Sequence, residues 1–332
     1  MTTLGPGGPR VSRLGLGLAA LGRPAYITTG RDQDFGPDRS QAALRRRTWE
    51  VLDAAYAAGI RYIDCARSYG SSEAFVAGWL GRRTADDVVV GSKWGYTYVG
   101  GWDPAATVHE VKDHSLAAFE RQYQESRALL GARLGLYQVH SATLESGILE
   151  DRPLHHALAR CRDAGLRLGI TTSGPAQADT VRRALELEWE GTSLFGAVQA
   201  TWNLLEPSAE TALEEAAEAG WAVIVKEAVA NGRLTERGDA GNSGTPLGVA
   251  AAAAGVRPDA LAIAAALAQP WATLVLSGAV TADQLRSNLS ADAVAGAWAG
   301  RTAAGQAPPW AAVDLAEPAT EYWRRRAQRT WG

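Results

Sequence analysis

The chain has 332 residues, of which 46% are hydrophobic and 21% charged, a composition typical of globular rather than disordered proteins. The formal net charge is −3 and the basic residues form no stripe, which disfavours nucleic acid as a partner. Two cysteines, Cys65 and Cys161, are too few for a disulfide framework or a Cys-rich metal site, and they favour a reducing compartment.

Lysine is rare in this sequence. Apart from Lys93, Lys112 and Lys226, every Lys or Arg position is an arginine. Because arginine serves wherever only a positive charge is needed, a lysine in this background suggests a more specific role. We interpret Lys112, near a predicted helix start, as a solvated charge, which leaves Lys93 and Lys226 as the lysines of interest.

The sequence predicts a cytoplasmic protein without a membrane partner. Its N-terminus lacks the apolar segment of a secretory signal. The one long apolar stretch, residues 260–280, is interrupted by Gln269 and Pro270. We predict a helix, a turn and a buried strand there rather than a membrane span.

Short apolar runs alternate with amphipathic segments along the chain. The runs are apolar on both faces, as in a buried parallel sheet, and predict strands at residues 13–18, 62–65, 88–92, 136–140, 167–171, 197–200, 222–226 and 273–277. The amphipathic segments predict helices at residues 47–58, 72–80, 115–130, 153–164, 176–187, 208–219, 258–268 and 282–299. Glycines suited to a left-handed helix end follow four of these segments, at Gly59, Gly131, Gly165 and Gly220.

Eight strand–helix units without a linker predict an α/β fold, a (β/α)8 TIM barrel that forms a single domain over residues 1–332. A doubly wound sheet is the alternative, but Gly15 and Gly17 lack the third glycine of a dinucleotide fingerprint at the right spacing. Long loops are expected on the C-terminal face at residues 26–45, 94–114 and 227–257, the last being a glycine-rich candidate cofactor lid. The C-terminal extension, residues 300–332, is rich in tryptophan and either covers the barrel mouth or packs outside it.

Four titratable side chains fall at or just after predicted strand ends, where barrel enzymes place their chemistry. Asp64, Lys93 and His140 end the second, third and fourth strands, and Tyr69 follows five residues after Asp64. Together they suit the reduction of a carbonyl group. Tyr69 would give a proton, an ammonium held by a carboxylate would lower the phenol pKa, and a neutral imidazole would orient the carbonyl oxygen.

With these residues in this order, the sequence resembles the aldo-keto reductase family. The resemblance extends from about Val11 to Ser290 and rests on the segments YIDCARSYG, SKWG, YQVHS, LGITTSG, AVQATWNLL, VKEAVANGRL and LSGAVTADQLRSNL. It implies a TIM barrel that binds a nicotinamide cofactor, with Asp64, Tyr69, Lys93 and His140 as the catalytic tetrad.

The resemblance also implies a set of cofactor-binding positions. These are Gly17, Asp64, Thr171, Thr172, Gln199, Lys226, Glu227, Ala228, Gly232, Ser277, Gly278, Gln284 and Asn288. NADP(H) is the cofactor expected from the family. NAD(H) is the alternative, because Gly278, Val280 and Gln284 stand where NADPH-dependent members place basic residues, although Arg286 and Arg233 could compensate.

Two other departures affect the nicotinamide end. Thr171 and Thr172 stand where the family usually has Ser-Asn, so the hydroxyls are kept and the amide is lost. Lys226 occupies the position of an aromatic residue that usually stacks on the nicotinamide, and its alkyl stem could cover the ring while its ammonium reaches phosphate. An ion pair with Glu227 is the structural alternative for Lys226.

The predicted partner is a small carbonyl or alcohol substrate, with Tyr26, Trp94, Trp202 and His140 as candidate substrate-binding residues; the aromatic ones could equally be core packing. Two other functions remain open at this point. One is a metal-dependent barrel hydrolase or isomerase using Asp64, Lys93 and His140, although too few histidines and carboxylates gather at the strand ends to fill a metal shell. The other is a cofactor-binding sensor with little turnover. The sequence indicates no oligomeric state.

Overall fold

The computed structural model describes residues 1–28 and 30–331, apart from the side chains of residues 31 and 32. Eight parallel strands form a closed barrel, in which each strand pairs with its neighbours along the chain and the eighth pairs with the first. Strands β1 to β8 are Leu14–Gly17, Tyr62–Asp64, Val89–Trp94, Leu134–Ala142, Arg167–Thr172, Ala197–Thr201, Ala222–Lys226 and Leu274–Ser277. Closure confirms the predicted TIM barrel and rules out the doubly wound sheet.

Helices surround the barrel. Helices α1 to α11 are Arg31–Phe35, Gln41–Ala57, Ser72–Leu80, Leu116–Leu130, Arg152–Asp163, Gln177–Leu185, Glu210–Glu218, Pro246–Ala253, Pro258–Leu267, Ala282–Ala303 and Ala319–Ala327. Helix α2 begins six residues before its predicted start because the Ser40 hydroxyl accepts a hydrogen bond from Ala43 N and caps it. The helix-ending glycines Gly59, Gly131, Gly165 and Gly220 all have positive φ, as predicted.

The loops predicted to be long contain regular structure that the hydrophobic pattern did not indicate. Residues 94–114 include an antiparallel hairpin, Tyr96–Tyr98 with Glu110–Lys112, so the exposed Lys112 ends a strand four residues before α4 begins. The predicted lid, residues 227–257, contains α8, which Thr245 caps through Gly248 N. Its sequence, PLGVAAAA, has no polar face and therefore shows no helical period.

The amino end of the barrel is closed by a short hairpin, Thr2–Thr3 with Arg10–Val11. Leu4 from this hairpin packs into an apolar cluster with inward-facing strand residues, among them Leu136 and Ile224. This end of the barrel is therefore a sealed core.

The carboxyl end is covered by the C-terminal extension. Helix α11 lies there, with Arg326 paired to Glu227 just after β7, and Trp331 reaches the cavity at the barrel mouth. Of the two placements predicted for this extension, covering the mouth is the correct one.

No single helix in the described ranges is long and apolar enough to cross a membrane. The pair α8 and α9 passes that test only by combined length and composition, with an 87° bend between the two helices. The predicted helix, turn and strand in residues 260–280 correspond to most of α9 and to β8.

Candidate active site

A cavity of about 350 Å³ opens at the carboxyl ends of the barrel strands, a size suited to a small ligand. Asp64, Tyr69 and His140 line it, and Lys93 lies buried beneath Tyr69. The four residues of the predicted tetrad are therefore close together in the fold, although they come from three strands and one loop.

Lys93 and Asp64 form a buried ion pair inside the barrel. The Lys93 ammonium donates to Asp64 Oδ2 and, at 2.8 Å, to the backbone oxygen of Cys65. The other carboxylate oxygen of Asp64 accepts from Gln199 Nε2 at 2.8 Å. Both charged groups are at most 2% exposed, so the polar partners offset the desolvation of the pair and fix its geometry.

Tyr69 is held against the loop that follows β1. A Cβ atom at Gly22 would lie 2.2 Å from the Tyr69 backbone oxygen, so only glycine allows this close approach. Lys93 Nζ lies 4.7 Å from the centre of the phenol ring.

Burial and then the Asp64 charge raise the pKa of Tyr69 well above its usual value. The net shift is therefore upward rather than downward as expected, because burial and the Asp64 carboxylate outweigh the nearby positive charge. Tyr69 is therefore protonated at neutral pH, the state that a proton donor requires.

His140 contacts Tyr69 on one side and Ser68 on the other. Its Nε2 lies 3.5 Å from the Tyr69 hydroxyl and its Nδ1 lies 3.3 Å from Ser68 Oγ. Burial, followed by the charge of Lys93, lowers the pKa of His140 well below its usual value, so the imidazole is neutral. The Ser68 contact was not predicted, because only the fold brings this loop hydroxyl to the end of β4.

Most of the predicted cofactor positions line the same cavity. They are Gly17, Asp64, Thr171, Gln199, Lys226, Glu227, Ala228, Gly232, Ser277 and Gly278. Thr172 does not, because alternation along β5 turns it outward into the core, where its hydroxyl lies 3.5 Å from Gln177 Oε1. Ser173, one residue later, lines the cavity instead.

Lys226 ends β7 at the cavity wall. Its ammonium donates to Thr201 Oγ1 at 2.7 Å and lies 3.9 Å from a carboxylate oxygen of Glu227. Burial lowers its pKa to about 8, although the nearby Glu227 carboxylate opposes that shift. The predicted ion pair with Glu227 is thus present, at long distance, and the residue also lines the cavity.

A second cavity, of about 500 Å³, adjoins the first one and shares Ala20, Val229 and Gly278 with it. Gln284 and Asn288, two of the predicted adenosine-site residues, line it together with the N-terminus of α10. The two cavities therefore form one elongated cleft, with the tetrad at one end.

The two arginines proposed from sequence to bind a 2′-phosphate are not among the described residues that line the second cavity. Arg233 is held between Asp239 and Glu317, and Arg286 is exposed and does not line the cavity. Arg237 and Arg257 do line it, and the hydrophobic pattern of their loop gave no signal for that placement.

The predicted substrate-binding aromatic residues divide into two groups. Tyr26 lines the first cavity. Trp94 does not, because it is fully buried outside the barrel against Phe119, at a ring distance of 5.0 Å. Trp202 also lies in the core, where its indole N–H donates to Glu210 at 3.0 Å.

Several residues on the cavity wall were missed by the sequence reasoning. Arg23, Tyr96, Glu110, Arg329 and Trp331 come from the loop after β1, the hairpin after β3 and the C-terminal extension. None of them follows a recognisable motif, and only the abundance of tryptophan in the extension hinted at a contact with the mouth.

Within residues 1–28 and 30–331, no three His, Cys, Asp or Glu side chains are close enough together to hold a metal ion.

Comparison with known proteins agrees with this geometry. The model of the aldo/keto reductase family matches residues 13–294. Among solved structures, PA4992 from Pseudomonas aeruginosa, assigned to the aldo-keto reductases, is 25% identical over 88% of this chain and 94% of its own, with a TM-score of 0.62. No curated protein matches the sequence.

Two further structures share the fold at lower sequence identity. The aldo-keto reductase AKR11C1 from Bacillus halodurans is 23% identical over 87% of this chain and 89% of its own, with a TM-score of 0.64. The glycerol dehydrogenase AKR11B4 from Gluconobacter oxydans has the same identity and coverage, with a TM-score of 0.63.

Proposed function

Because the chain belongs to the aldo/keto reductase family and is an NAD(P)-dependent oxidoreductase, we propose that it reduces an aldehyde or ketone to an alcohol, or catalyses the reverse reaction, with Tyr69 as the acid–base group. The observation that carries this proposal is the contact of the Tyr69 hydroxyl with His140 Nε2, 3.5 Å apart, beside the buried Lys93–Asp64 pair in an open cavity.

Each residue of the tetrad has a separate role in the proposed reaction. A bound reduced nicotinamide supplies the hydride that the carbonyl carbon receives. Tyr69 donates its phenolic proton to the carbonyl oxygen, which becomes the alcohol hydroxyl, and the neutral His140 orients that oxygen by a hydrogen bond. Lys93 then stabilises the phenolate that remains, and Asp64 keeps the ammonium in place. In alcohol oxidation the same phenolate accepts the proton.

The cleft fits an extended dinucleotide. Its two connected cavities give a long site, and the N-terminus of α10, a helix of 22 residues, presents backbone N–H groups at the end far from the tetrad. With the nicotinamide beside the tetrad, Gln199 and Thr171 would hold its ring, Glu227 to Gly232 would border the middle of the dinucleotide, and Gln284 with Asn288 would hold the adenosine end.

The charges of the second cavity favour NADH over NADPH. Among its described lining residues, four carboxylates outnumber the two guanidiniums of Arg237 and Arg257. Arg237 is paired with Asp34 and Arg257 with Asp283, each at 2.9 Å. A ribose hydroxyl can donate to a carboxylate, whereas a 2′-phosphate would meet repulsion.

The test of the catalytic assignment is Tyr69→Phe, which keeps the ring and removes the proton. We expect kcat for NAD(P)H-dependent reduction of a panel of propanal, benzaldehyde and glyceraldehyde to fall by roughly 10³-fold, with cofactor Kd within about threefold of the original value. Wild-type kcat in this variant would contradict the assignment. A wild-type protein that binds cofactor and turns over none of the panel would support the low-turnover sensor.

The cofactor preference is tested by quenching of the 12 tryptophans on titration with NADH and with NADPH. We expect the Kd for NADH to be roughly tenfold lower than the Kd for NADPH. Asp34→Ser releases Arg237 and should bring the two Kd values closer together. A lower Kd for NADPH in the wild-type protein would refute the preference.

A further inference from the structure

Arg23 lies against the ring of Tyr69 in the cavity. Its guanidinium carbon is 4.9 Å from the centre of that ring, and it also faces the rings of Tyr26 at 4.8 Å and Trp331 at 4.6 Å. Arg23 is only 2% exposed, so its charge acts on Tyr69 with little screening by water. A cation over the face of a phenol is attracted to the ring, and more strongly once the phenol is a phenolate.

The position of Arg23 is determined by the loop that carries Tyr69. Its guanidinium donates to the backbone oxygens of Ser68, at 3.2 Å, and Ala19, at 3.0 Å. The preceding residue, Gly22, accepts from Ser71 N at 2.8 Å and is the glycine in close contact with the Tyr69 backbone. Arg23 and Tyr69 are therefore fixed relative to each other by their backbones.

Arg23 and Lys93 approach the same ring but differ in how far their charges are neutralised. Lys93 donates to Asp64, whose side chain is 3% exposed. Arg23 pairs with Glu110 on the hairpin after β3, and the Glu110 side chain is 19% exposed. Water reaches Glu110 and weakens its field, so this pair is more screened than the Lys93–Asp64 pair.

We propose that Arg23 is a positioning residue for Tyr69. Its guanidinium holds the phenol ring at the mouth of the barrel and stabilises the phenolate formed when Tyr69 gives up its proton, while Glu110 limits that stabilisation. This role rests on the proposed function of Tyr69 as the acid–base group.

Charged and titratable groups of several elements surround Tyr69 among the described residues. They are Asp64 on β2, Lys93 on β3, His140 on β4, Glu110 on the hairpin, Lys226 and Glu227 at and after the end of β7, Arg23 with Tyr26 in the loop after β1, and Arg326 with Arg329 in the C-terminal extension. Burial and Asp64 raise the pKa of Tyr69, Arg23 lowers it, and Glu110 raises it again. Removing Arg23 and removing Glu110 are therefore expected to move the Tyr69 titration in opposite directions.

The experiment compares Arg23→Gln and Glu110→Gln in two ways. The first is the ultraviolet difference spectrum between each protein and its Tyr69→Phe counterpart during a pH titration, which isolates the Tyr69 phenolate among nine tyrosines and needs no cofactor. The second is the pH dependence of kcat for oxidation of the alcohol that corresponds to the best aldehyde of the panel.

For Arg23→Gln we expect the phenolate transition and the rising limb of kcat to move up by about one pH unit, with roughly tenfold lower kcat at pH 9. For Glu110→Gln we expect the phenolate transition and the rising limb of kcat to move to lower pH. Arg23→Lys keeps the charge and loses the planar contact, so the pH of its phenolate transition should lie between those of Arg23→Gln and the wild type. If Arg23→Gln does not fold, Glu110→Gln and Arg23→Lys carry the test.

A matched control exists on the outside of the barrel. Arg61 stacks on Tyr56 at 4.1 Å and pairs with Asp87, in the same chemical arrangement but away from the cavity. Arg61→Gln should leave the pH profile of kcat unchanged. The proposal would be overturned if the pH of the Tyr69 phenolate transition did not change in Arg23→Gln and Glu110→Gln, or changed in the same direction in both.

The two proposals fail in different ways. Wild-type kcat in Tyr69→Phe would remove Tyr69 from the reaction, whereas the ultraviolet titration would still report whether Arg23 stabilises its phenolate. An inactive Tyr69→Phe combined with unmoved titrations would leave the function intact and eliminate the role of Arg23.

Discussion

The two ends of the barrel are built from the same eight strands and contain different chemistry. At the carboxyl end, Asp64 and Lys93 form a buried ion pair inside the barrel. At the amino end, the inward-facing side chains include Leu136 and Ile224, and Leu4 of the N-terminal hairpin seals them from water. One end thus buries charges at an energetic cost, and the other buries apolar surface, which stabilises the fold.

The mouth also contains strained backbone. Ser141 near the end of β4 and Glu227 just after β7 lie at the mouth with φ of 51° and 56°, a left-handed conformation that costs a non-glycine residue about 1–2 kcal/mol. Placing reactive groups at the mouth therefore lowers the stability of the fold, whereas the apolar cluster at the amino end raises it. Substitutions at the two ends should therefore affect activity and stability separately.

The largest expected effect is that of Lys93→Met. It removes the cation beneath Tyr69 and leaves Asp64 buried without its partner, so kcat should fall by roughly 10³-fold and the unfolding free energy by about 3–5 kcal/mol. Lys93→Arg should also be inactive, because the 1% exposed site holds an ammonium and has no space for a guanidinium fork. Steady-state kinetics measure the effect on kcat, and thermal unfolding measures the effect on stability. Near-normal kcat in either variant would contradict a functional role for the charges buried at the carboxyl end.

At the opposite end, Leu4→Ala should lower the unfolding free energy by about 2–5 kcal/mol, because it creates a cavity in the sealed apolar cluster. Since the cluster lies far from the tetrad, kcat should stay within about twofold of the wild-type value. Urea unfolding and kinetics at a temperature where the variant is folded are the measurements. A tenfold loss of kcat with unchanged stability would show that the two ends are not separable.

The Glu227–Arg326 pair predicts a pH dependence of stability at the mouth. Burial raises the pKa of Glu227, but Arg326 and Lys226 outweigh it and bring the pKa to about 2. Because the folded pKa lies below the unfolded one, the carboxylate stabilises the fold above about pH 4.5, by roughly 3 kcal/mol, and this stabilisation is lost as the pH falls toward 2.

The measurement is the difference in unfolding free energy between the wild type and Glu227→Gln. It should be largest near neutral pH and should shrink steadily between pH 4.5 and 2. Glu317→Gln, which disrupts a less buried part of the same extension, serves as the control. A difference independent of pH would mean that Glu227 contributes through packing rather than charge.

The smallest expected effect is that of Lys226→Met on cofactor binding. Lys226 lines the cavity and has a pKa of about 8, so its side chain is charged at pH 6.5 and largely neutral at pH 9.5. We expect the Kd for NADH to rise by roughly tenfold at pH 6.5, where a positive charge near an anion is lost, and to be unchanged at pH 9.5. Tryptophan quenching at the two pH values checks this, and equal effects at both would assign Lys226 a purely steric role.

Much of the barrel could be predicted from the sequence because its signals are local. Each strand is a short run that is apolar on both faces, and helix ends such as Gly165 require a left-handed conformation that glycine adopts most easily. The tetrad positions were predictable for a related reason. Residues that end parallel strands of a barrel meet at one face whatever the details of packing.

The errors arose where the placement of a side chain depends on the exact register or on distant segments. Thr172 turns into the core because β5 extends through it, and Trp94 points outward next to the inward-facing Lys93 on the same strand. Arg233 is held by carboxylates from its own loop and from the C-terminal extension. Arg237 and Arg257 reach the second cavity through contacts that no local pattern encodes.

The sequence by itself determined the barrel, the order of its strands and the residues at their carboxyl ends. Apolar runs that alternate with amphipathic segments are a local signal, and it can be read without knowing the tertiary contacts. Only the tertiary structure decided that the C-terminal extension covers the mouth and that Arg23 stacks on Tyr69. It also decided that Lys93 is neutralised by Asp64. These features depend on burial and on charges brought together from distant parts of the chain, and electrostatic interactions are strong only where folding has excluded water.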